Sequence, residues 1–129
     1  ARALAAHFEA GLRGAWRPAL GRFVSRDLVA GADIEQATHA GFVPLLALDC
    51  DADQRAALAA GIARWCDGCA VGLPTVPPDD PMFDSRRYWR GPAWGIMDWL
   101  IADGLRRNGL HDAARALMAP MLEAIAREG

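Results

Sequence analysis

The sequence predicts an all-α protein, and three observations carry that reading. Apolar residues recur at helical spacing in five stretches. No βαβ alternation and no glycine-rich phosphate loop interrupts them. The connections alternate between long, Pro- and Gly-marked segments and short turns. Helix pairs with the long connections gathered on one side form α/α arrays, in which those connections carry function. At 129 residues the chain is long enough for one domain with a real core, so residues 1–129 are read as a single unit.

The first helix is expected over residues 3–16. Leu4, Phe8 and Leu12 follow one another at i, i+4, i+8, and Pro18 prevents simple continuation. Residues 21–37 break the pattern: β-branched and aromatic residues alternate weakly from Arg22 to Asp27, and Gly31 and Asp33 supply turn chemistry. An irregular loop or short hairpin is expected. A second helix, 38–48, carries Phe42, Leu45, Leu46 and Leu48, with Thr38 as N-cap and Pro44 as a start or a kink. The third has the clearest signals. Asp51 and Gln54 form a capping box, Leu58, Ile62 and Trp65 share a face, and Gly68 follows the end. A fourth helix is expected from Pro92 at N1 to Arg107, its buried stripe being Met97, Leu100, Ile101, Gly104 and Leu105. Trp99, like Trp65, is assigned to the core. Asn108-Gly109 ends it. A fifth helix, 112–127, bears Leu117, Met121 and Ile125, with a bend at Pro120, and the short turn makes the last two helices an antiparallel hairpin.

Composition excludes several classes. The net charge of −2 gives no reason to expect nucleic acid or an anionic membrane as partner. All 14 cationic side chains are Arg. No apolar run reaches the roughly 18–20 residues of a membrane span, and no signal peptide is visible, so a cytoplasmic location is expected. The chain opens at Ala1 in mid-pattern and closes abruptly at Gly129, as a piece of a longer chain would. Cys66 and Cys69 form a C-x-x-C at the wrong end of a helix for an activated thiolate, and His7, His39 and His111 are too scattered to complete a zinc site. No metal or other cofactor is expected.

The stretch that draws the rest together is Pro74–Trp99. Pro74-Thr-Val-Pro-Pro-Asp-Asp-Pro-Met-Phe83 cannot be regular structure, and three of the five tryptophans follow between Trp89 and Trp99. Long irregular loops in compact domains are more often functional than idle. Tyr88, Trp89 and Trp94 offer aromatic faces that bind sugar C–H faces or cations; for Trp89, site and core are equally weighted readings. Arg90 offers a fixed donor fork or, equally, a structural tie to Asp79 and Asp80. Gly91 permits a close backbone approach or a positive φ. Asp79, Asp80, Asp84 and Asp98 lack the spacing of an acid–base pair, and adjacent Asp residues in a Pro-rich turn more often cap than catalyse.

Tyr88-Trp-Arg-Gly-Pro-Ala-Trp94, followed by Trp99-Leu-Ile, Gly104-Leu105 and Gly109, resembles the Tyr-Trp-Arg-Gly-Pro-x-Trp segment of glycoside hydrolase family 63. The nearest likeness is to its bacterial mannosylglycerate/glucosylglycerate hydrolase-like branch. The 74–83 loop and Gly41-Phe-Val-Pro-Leu-Leu46 are similar to the family as well, so spaced matches run over residues 20–110. The resemblance implies an α/α toroid of six inner and six outer helices and an inverting α-glycosidase that needs no cofactor. It implies that Tyr88, Trp89, Gly91 and Trp94 line the subsite of the sugar being released, with Arg90 shaping that wall. It places the catalytic acid upstream of this segment and the base beyond residue 129, so that the chain supplies neither. Where family members carry Asn after the second Trp, this chain has Gly95-Ile-Met-Asp98.

The function expected is therefore that of a partial toroid contributing the aromatic and Arg wall of a sugar subsite, with a small sugar or glycoside as partner. The alternative is a non-catalytic α-helical module that binds carbohydrate or protein. In either case an incomplete toroid leaves apolar faces for self-association or for missing parts of the parent chain.

Overall fold

The computed structural model describes residues 2–128. It contains four α-helices, α1 (Arg2–Gly14), α2 (Ala52–Cys66), α3 (Gly95–Arg107) and α4 (His111–Glu128), with a 3-10 segment at His39–Leu46. It is mostly helical but not all-α. Residues 16–34 form two antiparallel ribbons, β1 (Trp16–Arg17) with β2 (Arg22–Phe23) and β3 (Ser25–Asp27) with β4 (Ala32–Ile34). The expected hairpin is the second of these. Its turn is held by the Asp27 carboxylate, which accepts from the amides of Val29 and Ala30.

The core lies where α2, α3, α4 and the 3-10 segment meet, around Leu45, Leu58, Leu73, Ile101 and Leu105. Leu58, Ile62 and Trp65 of α2 are buried as expected, the capping box is present in both directions, and Gly68 follows the helix at φ +75°. The second expected helix is a 3-10 segment instead. Thr38 makes no side-chain cap there, and Pro44, which lacks an N–H, sits inside it.

Asn108 ties this segment to α3. Its Nδ2 donates to the carbonyls of Leu45, Leu48 and Gly104, and its Oδ1 accepts from the Cys50 amide. Gly104 brings the two backbones together, since a Cβ there would stand 2.7 Å from the Leu45 Cβ. After α3, Gly109 (φ +77°) donates to Arg106 and Leu110 donates to Leu105, the paired bonds of a Schellman ending that turns the chain into α4.

Three expectations are corrected. α1 ends at Gly14, because Trp16 joins β1, and it buries no residue: Leu4 and Phe8 are exposed. α3 starts at Gly95 rather than Pro92, because Ala93 is drawn into an antiparallel bridge with Pro74. Trp99 is 52% exposed and lies off the buried stripe of α3. Pro120 lies inside α4, whose apolar stripe fades from buried Leu117 to exposed Ile125.

Candidate functional site

The segment between α2 and α3 has two parts of opposite character. Its first part, Gly72–Pro77, is irregular yet buried throughout. A buried irregular segment must find partners for its backbone polar groups, and four contacts anchor this one. The Leu73 amide donates to both oxygens of Asp98, at 3.3 and 3.2 Å. The Thr75 carbonyl accepts from the His39 amide at 3.0 Å. Pro74 bridges to Ala93. The Thr75 hydroxyl accepts from the Gly91 amide at 2.8 Å. Together these contacts make the segment a floor.

The second part, 78–90, rises from it as a series of turns. Asp80 accepts from the Met82 amide and from the Gln36 side chain, and Asp84 accepts from the Arg86 amide and pairs with Arg87. These carboxylates are engaged in shaping the loop. The Asp84 amide donates to the Arg90 carbonyl at 2.7 Å, closing the loop on itself. Gly91 is needed for that closure: its φ is not positive, but a Cβ would lie 2.4 Å from the Asp84 carbonyl oxygen. Of its two expected roles, close approach is the one found.

The loop carries the aromatic wall. Tyr88 and Trp94 rings lie 4.2 Å apart, Tyr88 and Trp89 5.1 Å and edge-on, and Trp89 and Trp94 5.5 Å and stacked. The Trp94 indole N–H donates to the Tyr88 carbonyl at 3.1 Å. Trp94 is half-buried and underlies the cluster, while Tyr88 is 61% and Trp89 57% exposed. The five residues singled out in the sequence thus separate by task. Tyr88, Trp89 and Trp94 come together as one cluster, and Gly91 is the hinge between cluster and floor. The Arg90 side chain is half-buried, and among the described residues it makes no ion pair with Asp79 or Asp80, so the structural tie weighed for it is not found.

Three further residues join the site: His39 and Asp98, weighed in the sequence only as a zinc ligand and as one of an acid–base pair, and Thr75. His39 stacks on Trp89, ring centroids 6.0 Å apart, and is only 6% exposed. Among the described residues, neither of its ring nitrogens has a hydrogen-bond partner. Burial pushes its pKa below the ordinary imidazole value; the nearby Thr75 backbone opposes that shift without meeting hydrogen-bond geometry. Asp98 is fully buried, and burial pushes its carboxyl up to about 6, with the Leu73 amide pulling the other way. The stripe expected on Met97, Leu100, Ile101, Gly104 and Leu105 is corrected here: Met97 and Leu100 are half-buried, and Asp98, Ile101, Ala102 and Leu105, at i, i+3, i+4, i+7, are buried, so Asp98 sits on the stripe itself. Thr75 carried no signal beyond its position between prolines.

Cys66 and Cys69 are free thiols. Cys69 Sγ donates to the Trp65 carbonyl, and burial pushes both thiols up, Cys66 to about 12, which is the opposite of activation.

The whole chain, residues 1–129, matches one family model, the mannosylglycerate hydrolase MGH1-like glycoside hydrolase domain. The chain belongs to this family. A mannosylglycerate hydrolase of Thermus thermophilus is 40% identical over 121 residues, covering 94% of this chain and 29% of that protein. Mannosylglycerate hydrolase MGH1 of Selaginella moellendorffii is 36% identical over 109 residues, 84% of this chain and 22% of that one. Among solved structures, a crystal structure of the family 63 mannosylglycerate hydrolase from Thermus thermophilus in complex with Tris and D-glycerate aligns with a TM-score of 0.86 at 40% identity, over 94% of this chain and 29% of that one. Membership of glycoside hydrolase family 63, expected from the Tyr88–Trp94 segment, is therefore established. The chain spans between 22% and 29% of the length of these relatives.

Proposed function

We propose that the chain is part of an inverting α-glycosidase that hydrolyses a hexosyl glycerate, mannosylglycerate or glucosylglycerate, and that Tyr88, Trp89, Arg90, Gly91 and Trp94 line the subsite of the sugar released. The observation that carries this reading is the exposure of the Tyr88 and Trp89 rings on a cluster whose backing is buried. Large aromatic faces left in solvent cost hydrophobic free energy unless a ligand covers them, and sugar C–H faces are suited to do so. Among the described residues Arg90 makes no side-chain ion pair, which leaves its donor fork to meet sugar hydroxyls beside that platform. The glycerate class of substrate comes from the names of the relatives.

The helices form a portion of an α/α toroid, and the catalytic acid and base lie on other segments of the intact protein. Inversion requires two carboxyls roughly 6.5–9.5 Å apart with a water between them and the sugar. Three carboxylates of this region do not suit that work: Asp80 and Asp84 hold turns, and Asp98 is buried against the floor.

The natural full-length protein should release hexose from one of the two glycerates, and NMR of the fresh product should show the anomeric configuration opposite to that of the substrate. Release with retained configuration, or none from either glycerate, contradicts the proposal. The alternative, a non-catalytic binding module, draws on the exposed apolar residues Leu4 and Phe8 of α1 and Leu122 and Ile125 of α4, which mark a surface that something covers. Sugar binding without hydrolysis by the full-length protein would favour it.

A further inference from the structure

A buried carboxylate on the apolar stripe of α3 calls for an explanation. A Leu at position 98 would join Ile101, Ala102 and Leu105 without the desolvation cost an ionised group incurs. Two features act in favour of the carboxylate. It lies in the first turn of α3, where the helix dipole favours a negative charge. And both of its oxygens receive the Leu73 amide.

The surroundings are shaped to that contact. Gly72 has φ +63°, and a Cβ there would stand 2.1 Å from Asp98 Oδ2 and 3.1 Å from the Ala93 Cβ, so glycine is required by conformation and by space. Two residues beyond Leu73, the Thr75 hydroxyl receives the Gly91 amide, and Gly91 lies two residues from Trp89 and three from Trp94. Asp98 is also four residues after Trp94, and its own amide donates to the Trp94 carbonyl. A closed ring of contacts therefore runs from Asp98 to Leu73, along the floor to Thr75, across to Gly91, and through Ala93 and Trp94 back to Asp98.

We propose that Asp98 is a positioning residue for the aromatic wall: through the Leu73 amide it fixes the Gly72–Pro77 floor, and through the Thr75 hydroxyl that floor fixes Gly91 and the rings on either side of it. Asp98 touches no substrate. It acts on binding by setting where Trp89 and Trp94 stand, and the inference rests on the wall reading given above.

The test uses the natural full-length protein, with mannosylglycerate and glucosylglycerate as probes, and reads KM and kcat separately. Asp98→Leu keeps the number and branching of the side-chain heavy atoms, with bulkier methyl groups, and removes the acceptor. Thr75→Val is nearly isosteric and breaks the same ring elsewhere, so it stands in if Asp98→Leu does not fold. Asp98→Asn keeps a carbonyl acceptor for Leu73. Each of the first two should raise KM about tenfold with kcat changed less than about threefold, and Asp98→Asn should stay within about twofold in KM. Trp89→Ala is the control. If it raises KM while folded Asp98→Leu and Thr75→Val leave KM unchanged, the positioning role is wrong and the wall reading stands. If Trp89→Ala itself leaves KM unchanged, the wall reading falls and the positioning role with it. A KM rise in Asp98→Asn equal to that in Asp98→Leu would also overturn the proposal, because charge rather than the acceptor would then be what matters.

Discussion

The floor, Gly72–Pro77, and the wall, Tyr88–Trp94, belong to one connection between two helices, yet they use their side chains in opposite ways. The floor is irregular and buried; Leu73 is fully buried, and its polar groups are met by Asp98, His39 and Gly91. The wall is built of larger apolar groups, but its two outermost rings stay in solvent. Burial and hydrogen bonding make the floor part of the fold. Exposure makes the wall a surface whose apolar area is still uncovered. The residues most conspicuous in the sequence are not those that hold the site together.

The largest expected effect lies in the floor. Leu73→Ala removes a fully buried side chain and should destabilise by about 2–5 kcal/mol, read as a fall in Tm. A Tm within a degree or two of the parent would mean that the floor is not part of the core.

The next effect is on pH dependence, where floor and wall are each backed by a buried titratable group. Asp98 has its carboxyl raised from 3.8 to about 6. The folded protein therefore holds this proton more tightly than the unfolded chain. The stability Asp98 contributes is full below about 4 and is lost as pH rises to about 6, a loss of about 3 kcal/mol. His39 has the opposite sign. Its pKa is lowered from 6.5, so it favours the folded state when neutral, and that contribution is lost as pH falls below 6.5. In the parent protein the two slopes oppose each other. Asp98→Asn should leave stability rising more steeply with pH between 4 and 6.5, and His39→Phe should leave it falling. Tm measured against pH checks both, and parallel profiles for parent and variants would contradict the assignment.

A smaller effect is expected at the junction. Gly91→Ala forces a Cβ against the Asp84 carbonyl and should cost about 1–3 kcal/mol while displacing the rings on either side. A variant with parent Tm and parent substrate KM would show that the close approach is not needed.

The sequence made some of this visible and hid the rest for physical reasons. The α2 capping box, the Asn108-Gly109 ending and the Tyr88–Trp94 cluster are local: their partners lie within a few residues, so spacing reveals them. α1 and α3 show where spacing stops. Both read as amphipathic helices, but periodicity reports an apolar face and not what covers it; Leu105 is buried and Phe8 is exposed. The start of α3 was misplaced because the pull on Ala93 comes from Pro74, 19 residues away in sequence. The floor was legible only as irregular, because prolines exclude regular structure without saying whether the segment is buried. His39 was invisible as a member of the site because its partner, Trp89, lies 50 residues on.

The smallest stability effect should come from the wall itself. Trp89→Ala removes a ring that is 57% exposed, so Tm should change little, by the equivalent of about 1 kcal/mol or less. Substrate binding should not be spared. The most direct measurement is therefore Tm and hexosyl glycerate KM together, on Trp89→Ala in the natural full-length protein. Tm should stay nearly unchanged while KM rises about tenfold or more; an unchanged KM, or a Tm loss as large as that of Leu73→Ala, would mean that the exposed rings are not a substrate wall.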